Sequence, residues 1–425
     1  MNKEILYSIF AGMIILFTSC NDFLDVEPPT GFNNDYVFSS EKEVQSAIAG
    51  VYSLMLTDDA YGSRLAYVYN PNTDVEMSGV TTNAVSVNGS DFACYDPKPY
   101  WTALNGTWNT MYSTINLAND ILEGIEASDL YARADKTKNS PIMHMYGETK
   151  TLRAMLYLDL IRIWGDVIFR TKPSHKSEDL VVEVTDRNEI LEFLIQDLKS
   201  VESTMSYGSD LDYGVERASR EFCQSLIGLL AMNRGGWTLR PDTNDPSRKG
   251  YMERGENYEH YYDIAIEYLG KVIEGGKHDL KLSYEELWHQ ICNWKTPVND
   301  DIIFSIPMLK NSTSEFGYYL GTPITEGSHP YGSASGNFNL CGIYLYSFDK
   351  NDLRRDITCA PYKYTEKLDQ QIRLDIATLP IGKWSKLKMD TPLGATSQKG
   401  TGINFTWMRY ADVLLLYAEA VNERF

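Results

Sequence analysis

The chain lacks nearly every short motif that marks a catalytic or nucleotide-binding site. It has no Walker A loop, no GxGxxG after a strand, no GxSxG and no HExxH, which excludes the commonest phosphate-cradling, dinucleotide, serine-hydrolase and zinc-peptidase arrangements. Its six histidines (His144, His175, His260, His278, His289 and His329) have no metal-ligand spacing, and no cysteine pairs with one at a ligand-like distance. Asp349, Asp352 and Asp356 cluster, but without the glycine and terminal glutamate of an EF-hand loop, so they read as a solvated surface paired with Arg354. Positive charge is short as well. Lys and Arg number 39 against 58 acidic residues, a net charge of −19, and such a surface repels nucleic-acid backbones. So many carboxylates make any one pair uninformative about glycoside hydrolysis. Neither a cofactor nor a metal is indicated, and nothing points to catalysis.

Cysteine is sparse: Cys20, Cys94, Cys223, Cys292, Cys341 and Cys359, with no CxxC. If Cys20 is modified, an odd number remains, complete internal pairing is impossible, and buried thiols are the default. Only one long apolar run is present. It extends from Ile5 to Phe17 behind Lys3, and Thr18, Ser19 and Cys20 follow it. Thirteen residues are too few to span a bilayer as a helix, which takes about 20. The pattern is that of a secretory signal peptide (1–19) ending at a lipobox-like site, with Phe17 where Leu is usual. Lipid on Cys20 would anchor the exported chain, and 20–40 would serve as linker, kept out of helix by Pro28 and Pro29.

Beyond the linker, helical periodicity dominates. Val44, Ala47, Ile48, Val51, Tyr52 and Met55 share one face of a helix to Met55, with Ser39 and Ser40 before Glu43 as its N-cap. Trp108, Met111, Tyr112, Ile115, Ala118, Leu122 and Ile125 form another such face. From Leu152 to Trp164 only Arg153, Asp159 and Arg162 are charged, which predicts a helix buried nearly all round and stopped at Gly165. Weaker amphipathic patterns cover about 187–205, 216–235 and 257–274, and a last helix is predicted from about Thr406. Residues 57–100 lose periodicity and read as long surface loops. Residues 290–402 read as irregular loops with short strands, among them Ile302–Pro307. The expectation is a helical scaffold over 41–289 and 403–425, carrying an irregular ligand-binding subdomain at 290–402.

Aromatic residues are abundant, with 29 Tyr and 8 Trp. Trp108, Tyr112, Leu152, Arg153, Tyr157, Trp164, Tyr410 and Asp412 fall at helical spacing and read as scaffold. Rings in the irregular segments are the candidates for ligand: Tyr67, Tyr69, Trp101, Trp294, Tyr331 and Phe338, with Asp74 and Asn337 as hydrogen-bonding groups. A flat ring offers a sugar's apolar CH face a large contact at small entropic cost.

Several segments together carry a resemblance: CNDFLD, FSSEKEVQSAIAGVY, WNTMYSTINLANDIL, GETKTLRAMLYLDLIRIWGDV, NDDIIFSI, YSFDKNDLRRD and RYADVLLLYAEAVNE. In this order, over nearly the whole chain, they resemble the SusD/RagB-like outer-membrane nutrient-binding lipoproteins of Bacteroidetes. The resemblance implies a mainly α fold, tetratricopeptide-like helix pairs packed against an irregular loop-rich subdomain with short strands. It also implies a non-enzymatic surface lipoprotein that captures glycan and delivers it to a SusC-type TonB-dependent transporter. The alternatives are a non-binding structural lid of that transporter and a secreted glycan hydrolase. Family chains continue past the RYADVLLLYAEA helix, so the sequence reads as truncated within its last helix pair.

Overall fold

In the computed structural model, the structure describes residues 34–65, 73–78, 102–176, 181–242, 245, 250–325, 329–336, 338–364, 371–376, 379–394 and 399–425. Two apolar cores organise them, one inside a stack of helices and one inside a loop-rich unit.

Among the described residues, the helices of nine or more residues are α1 (Glu41–Met55), α2 (Thr102–Ala127), α3 (Pro141–Trp164), α4 (Arg187–Lys199), α5 (Arg220–Gly235), α6 (Tyr258–Gly275), α7 (Tyr284–Cys292) and α8 (Tyr410–Arg424). Local chemistry sets their ends. Ser40, Ser140 and Ser219 each accept a backbone N–H of the first turn of α1, α3 and α5. Pro141 occupies the first turn of α3, and Gly165 closes that helix at φ +76°, a conformation a side chain would strain. Each helix from α1 to α6 packs on the next, and α8 packs on α6. This is the helix-pair stacking of tetratricopeptide-like arrays. α3 lies at its centre and is buried from Ile142 to Ile161 except at Lys150, as the shortage of charge predicted. α5 and α6 approach closely at Gly228, where a Cβ would stand 2.5 Å from Leu269 Cγ.

The charges on α3 are tied to its neighbours. Arg153 donates to Asn119 Oδ1 of α2 at 2.8 Å and to Asp197 Oδ2 of α4 at 2.7 Å. Glu148 is fully buried, accepts from Tyr52 Oη at 2.8 Å and pairs with Arg217. Asp159 accepts from Tyr61 Oη at 2.6 Å and from Trp407 Nε1 at 3.2 Å. These contacts meet the requirement that buried charge be paired. Tyr61 corrects an expectation. Ala60, Tyr61 and Leu65 are about 1% exposed, so the start of the 57–100 stretch is wrapped into the helical core rather than laid over the surface.

After α6 the chain leaves the stack. α7 buries Leu287, Trp288 and Ile291 in the second core, and β4 (Ile302–Ile306) then runs antiparallel to β9 (Phe405–Arg409). The final helix therefore starts later than expected. Phe405, Thr406, Met408 and Arg409 pair with β4, and α8 begins only at Tyr410. Asp301 accepts from Arg409 at 2.9 Å and from the Ala411 N–H at 2.9 Å, and Asp412 accepts the Arg409 N–H at 3.0 Å. Asp412 thus caps its own helix instead of bridging two helices. The segment between β4 and β9 supplies two strands of a three-stranded antiparallel sheet in the order β1 (Glu76–Ser78), β5 (Phe338–Leu340), β8 (Leu379–Pro380). A small ribbon of β6 (Tyr362–Tyr364) and β7 (Gln371–Arg373) also lies there. A separate hairpin, β2 (Thr238–Arg240) with β3 (Tyr251–Glu253), projects between α5 and α6. Aromatic stacking joins the two units: Phe316 lies on Phe405 at 5.2 Å, and Phe405 on Tyr61 at 5.7 Å.

Among the described residues, no helix is long and apolar enough to cross a membrane. Cys223, Cys292 and Cys359 are buried free thiols. Asp352 and Asp356 are bound by Arg354 and Arg355, and no group of three potential metal ligands occurs among the described residues.

Candidate functional site

The loop-rich unit displays aromatic rings along two neighbouring stretches. The first follows α7. Asn293 ends the helix, and Trp294 takes a left-handed backbone (φ +59°) that turns its indole onto the flank of the second core. The ring is half-buried. Lys310 Nζ sits 3.7 Å above its centroid, a cation–π contact, and its Nε1 has no hydrogen-bond partner among the described residues. Asn293 donates to the Lys388 carbonyl at 2.8 Å and accepts the Asp390 N–H at 2.7 Å, which fixes residues 388–390 alongside. Tyr331 reaches the same segment, its hydroxyl donating to the Met389 carbonyl at 3.1 Å. Trp294 and Tyr331 therefore flank one strip of backbone.

The second stretch is Glu315–Leu320. Tyr318 and Tyr319 are half-buried and cross edge to face at 4.7 Å. Lys399 Nζ lies 5.7 Å and 5.0 Å from their centroids, and it pairs with Glu315 at 3.5 Å. The nearby Tyr319 hydroxyl, then the Glu315 charge, holds the Lys399 ammonium above its ordinary range. Glu315 also accepts from Ser63, and its N–H donates to the Gly62 carbonyl at 2.8 Å. Gly62, Ser63, Glu315, Tyr319 and Phe338 thus border a small notch where the helical stack meets the loop-rich unit. Lys386 lies beneath Tyr318, 5.6 Å from its ring. It is buried and donates to the Ser333 carbonyl at 2.8 Å, and burial lowers its pKa to about 8.

The residues singled out from sequence separate here. Trp294 and Tyr331 are half-buried rings on the same core, the first next to Asn293, which binds residues 388 and 390, and the second bonded to Met389. Phe338 does not join them on the surface. It opens β5, pairs in register with Ser78 and is only 4% exposed, so its ring is core with one edge at the notch. Asp74 is exposed at the turn into β1, where Thr73 Oγ1 accepts the N–H groups of Val75 and Glu76. Tyr67, Tyr69, Trp101, Asn337 and Cys20 lie outside the described residues. Tyr318, Tyr319, Lys310 and Lys399 were missed. The adjacent tyrosines of EFGYYLG were visible as a loop signal, but the lysines that cover the rings come from distant segments. Of the expected scaffold residues, Leu152, Arg153 and Tyr157 are buried, while Trp108, Tyr112, Trp164 and Tyr410 are half-buried within packed contacts.

Family comparison bears on both units. Residues 22–217 match a SusD-like family model described as starch-binding associating with outer membrane, and residues 375–424 match the SusD family model that includes RagB. The chain belongs to the SusD/RagB family. Its relatives include a SusD-like protein of Formosa agariphila, 23% identical over 98% of this chain and 77% of its own length. A SusD-like protein of Bacteroides ovatus is 24% identical over 97% and 71%. Among solved structures, a SusD homolog from Bacteroides thetaiotaomicron superposes with a TM-score of 0.76 at 23% identity, covering 90% of this chain and 74% of that one. The surface glycan-binding protein A of the same organism, solved with laminarihexaose, superposes at 0.66 with 14% identity, covering 90% and 79%. At these identities the likeness establishes the shared SusD fold.

Proposed function

We propose that this SusD-family chain is a surface lipoprotein that binds oligosaccharide on its loop-rich unit and passes it to a TonB-dependent transporter of the SusC type. The observation that carries the reading is the pair of ring surfaces, Trp294 with Tyr331 and Tyr318 with Tyr319. Each is held by packing on one side and carries a lysine over or beside a ring. A pyranose on the exposed part of such a ring buries its CH face, and Lys310 and Lys399 supply donors to its hydroxyls. A related protein was solved with a glucan oligosaccharide, which agrees with this ligand class. The roles are binding roles, so no bond of the sugar is broken. Lipid on Cys20 would hold the protein at the outer membrane, the compartment named in the matching family description.

Calorimetry against a panel of neutral oligosaccharides (laminari-, malto- and xylogluco-oligosaccharides) tests the reading. A bound member is expected to lose about tenfold in affinity with Trp294→Ala or Tyr319→Ala, without chemical conversion of the sugar. Unchanged affinity in both variants would remove these rings from the site, and turnover of the sugar would replace binding by hydrolysis. Release of Cys20→Ala from membranes tests the anchor. Recovery of a transporter barrel from native membranes tests the partner.

A further inference from the structure

A second surface lies on the helical stack, away from the loop-rich unit. It is a hollow of about 1150 Å³ between the C-terminal end of α3, the start of α4, the end of α5 with its hairpin, and α8. Two indoles line it. Trp164 is half-buried against Trp108 (5.2 Å, edge to face), and Trp237 is 64% exposed just past Gly236. Between them, by connectivity, stands Arg187, whose Nη2 makes a long 3.5 Å contact to the carbonyl of Asn233, four residues before Trp237. Its backbone N–H donates at 2.9 Å to Asp166, two residues after Trp164.

Arg187 is the unusual member. It is only 6% exposed, its Nε has no hydrogen-bond partner, and no carboxylate pairs with it among the described residues. The two acids nearest Arg187 in the chain are committed elsewhere, while Glu419 of α8 stands exposed on the far wall of the hollow. Asp166 accepts from Arg240 at 2.8 Å, and Asp186 accepts from Arg240 and from the Asn188 N–H that it caps. On the α8 side Glu423 pairs with Arg254 at 2.7 Å. Burial and the adjacent Arg240 charge accordingly hold the Arg187 guanidinium below its ordinary affinity for a proton. An unpaired buried cation is costly, and an arginine fork is matched by a planar carboxylate that accepts two parallel N–H bonds.

We infer that this hollow is a second glycan subsite, selective for a sugar bearing a carboxylate: the pyranose rests on Trp237 and Trp164, and its carboxylate meets Arg187. The sugar as carrier rests on the glycan-binding reading above, whereas the acidic specificity rests on Arg187 alone. Calorimetry with oligogalacturonate, oligoglucuronate and oligomannuronate, each beside its carboxyl-reduced counterpart, is the test. At least one uronate is expected to bind, and its reduced form to bind at least tenfold more weakly. Trp237→Ala, at an exposed position, should keep the melting temperature and lose about tenfold in uronate affinity. Arg187→Gln should lose more, while Asp129→Ala, at an exposed pair with Arg133, leaves uronate binding unchanged. Failure of all three uronates to bind, equal binding of the reduced forms, or unaltered affinity in Trp237→Ala would each overturn the inference. None of these results touches neutral-sugar binding at Trp294 and Tyr319.

Discussion

The two units differ in which buried polar groups they leave unpartnered. In the helical stack the central charges close on partners from other helices or neighbouring segments: Glu148 on Arg217 and Tyr52, Arg153 on Asp197 and Asn119, Asp159 on Tyr61 and Trp407. Such a network specifies one arrangement. What it leaves over among the described residues is mostly single arginine nitrogens, among them the Nε of Arg153, Arg187 and Arg220. In the loop-rich unit the buried indole N–H groups of Trp288, Trp294 and Trp384 have no partner among the described residues, and Lys386 carries its ammonium into the interior, where the Ser333 carbonyl accepts from it. The stack is ordered by paired charge, the loop-rich unit by packed rings.

The sharpest way to break this contrast is to open the closed network. Glu148→Ala leaves Arg217 and the Tyr52 hydroxyl facing an apolar gap, and about 3–5 kcal/mol of stability should be lost in chemical denaturation. A loss below about 1 kcal/mol would mean that the network is incidental.

Next comes the buried lysine. An unfolded lysine titrates near 10.4, and Lys386 at about 8, so between those values the unfolded chain binds more protons and stability must rise with pH. Lys386→Met should stabilise the protein by about 1–3 kcal/mol near neutral pH, and the gain should vanish toward pH 10.5. Denaturation midpoints measured at intervals from pH 7 to 10.5 give the answer, and parallel curves for the two proteins would refute it.

A smaller effect sharpens the comparison at the ligand surface. Trp294→Phe removes the buried unpartnered N–H and narrows the ring, so stability should move by less than about 1 kcal/mol while sugar affinity falls a few-fold from the lost stacking area. Equal affinity would show that the wider indole face is not used. At the bottom of the scale, Asp129→Ala breaks an exposed pair with Arg133 on the rim of the stack, and the melting temperature should not change measurably.

The scaffold was legible because its signals are local. The serine cap before Glu43, the stop at Gly165 and the near absence of charge from Leu152 to Trp164 each act within a few residues. The start of the last helix was misplaced because Phe405–Arg409 runs into YADVLLL as one apolar stretch. Only the partner strand β4 and the caps from Asp301 and Asp412 divide it into strand and helix. Phe338 was misread for a related reason: three residues among Gly, Ser and Asn carry no period, and β1 and β8 make them a central strand. Trp294 and Tyr331 stood out as rings off any helical face. The lysines that give the ring surfaces their chemistry did not, since Lys310 and Lys399 meet Trp294 and Tyr319 only through tertiary contact.

The antiparallel seam of β4 and β9 has a consequence for how such a protein can change. The stretch of the loop-rich unit at 307–404 departs through β4 and returns through β9, and these strands lie side by side. Its entrance and exit are thus clamped to one another whatever lies between them. Adding residues to an interior loop costs only the slow logarithm of closure entropy and does not displace α8 from α6. The fold behaves like a socket with an exchangeable insert: loops can lengthen, shorten or trade their rings while the helices beneath keep their register.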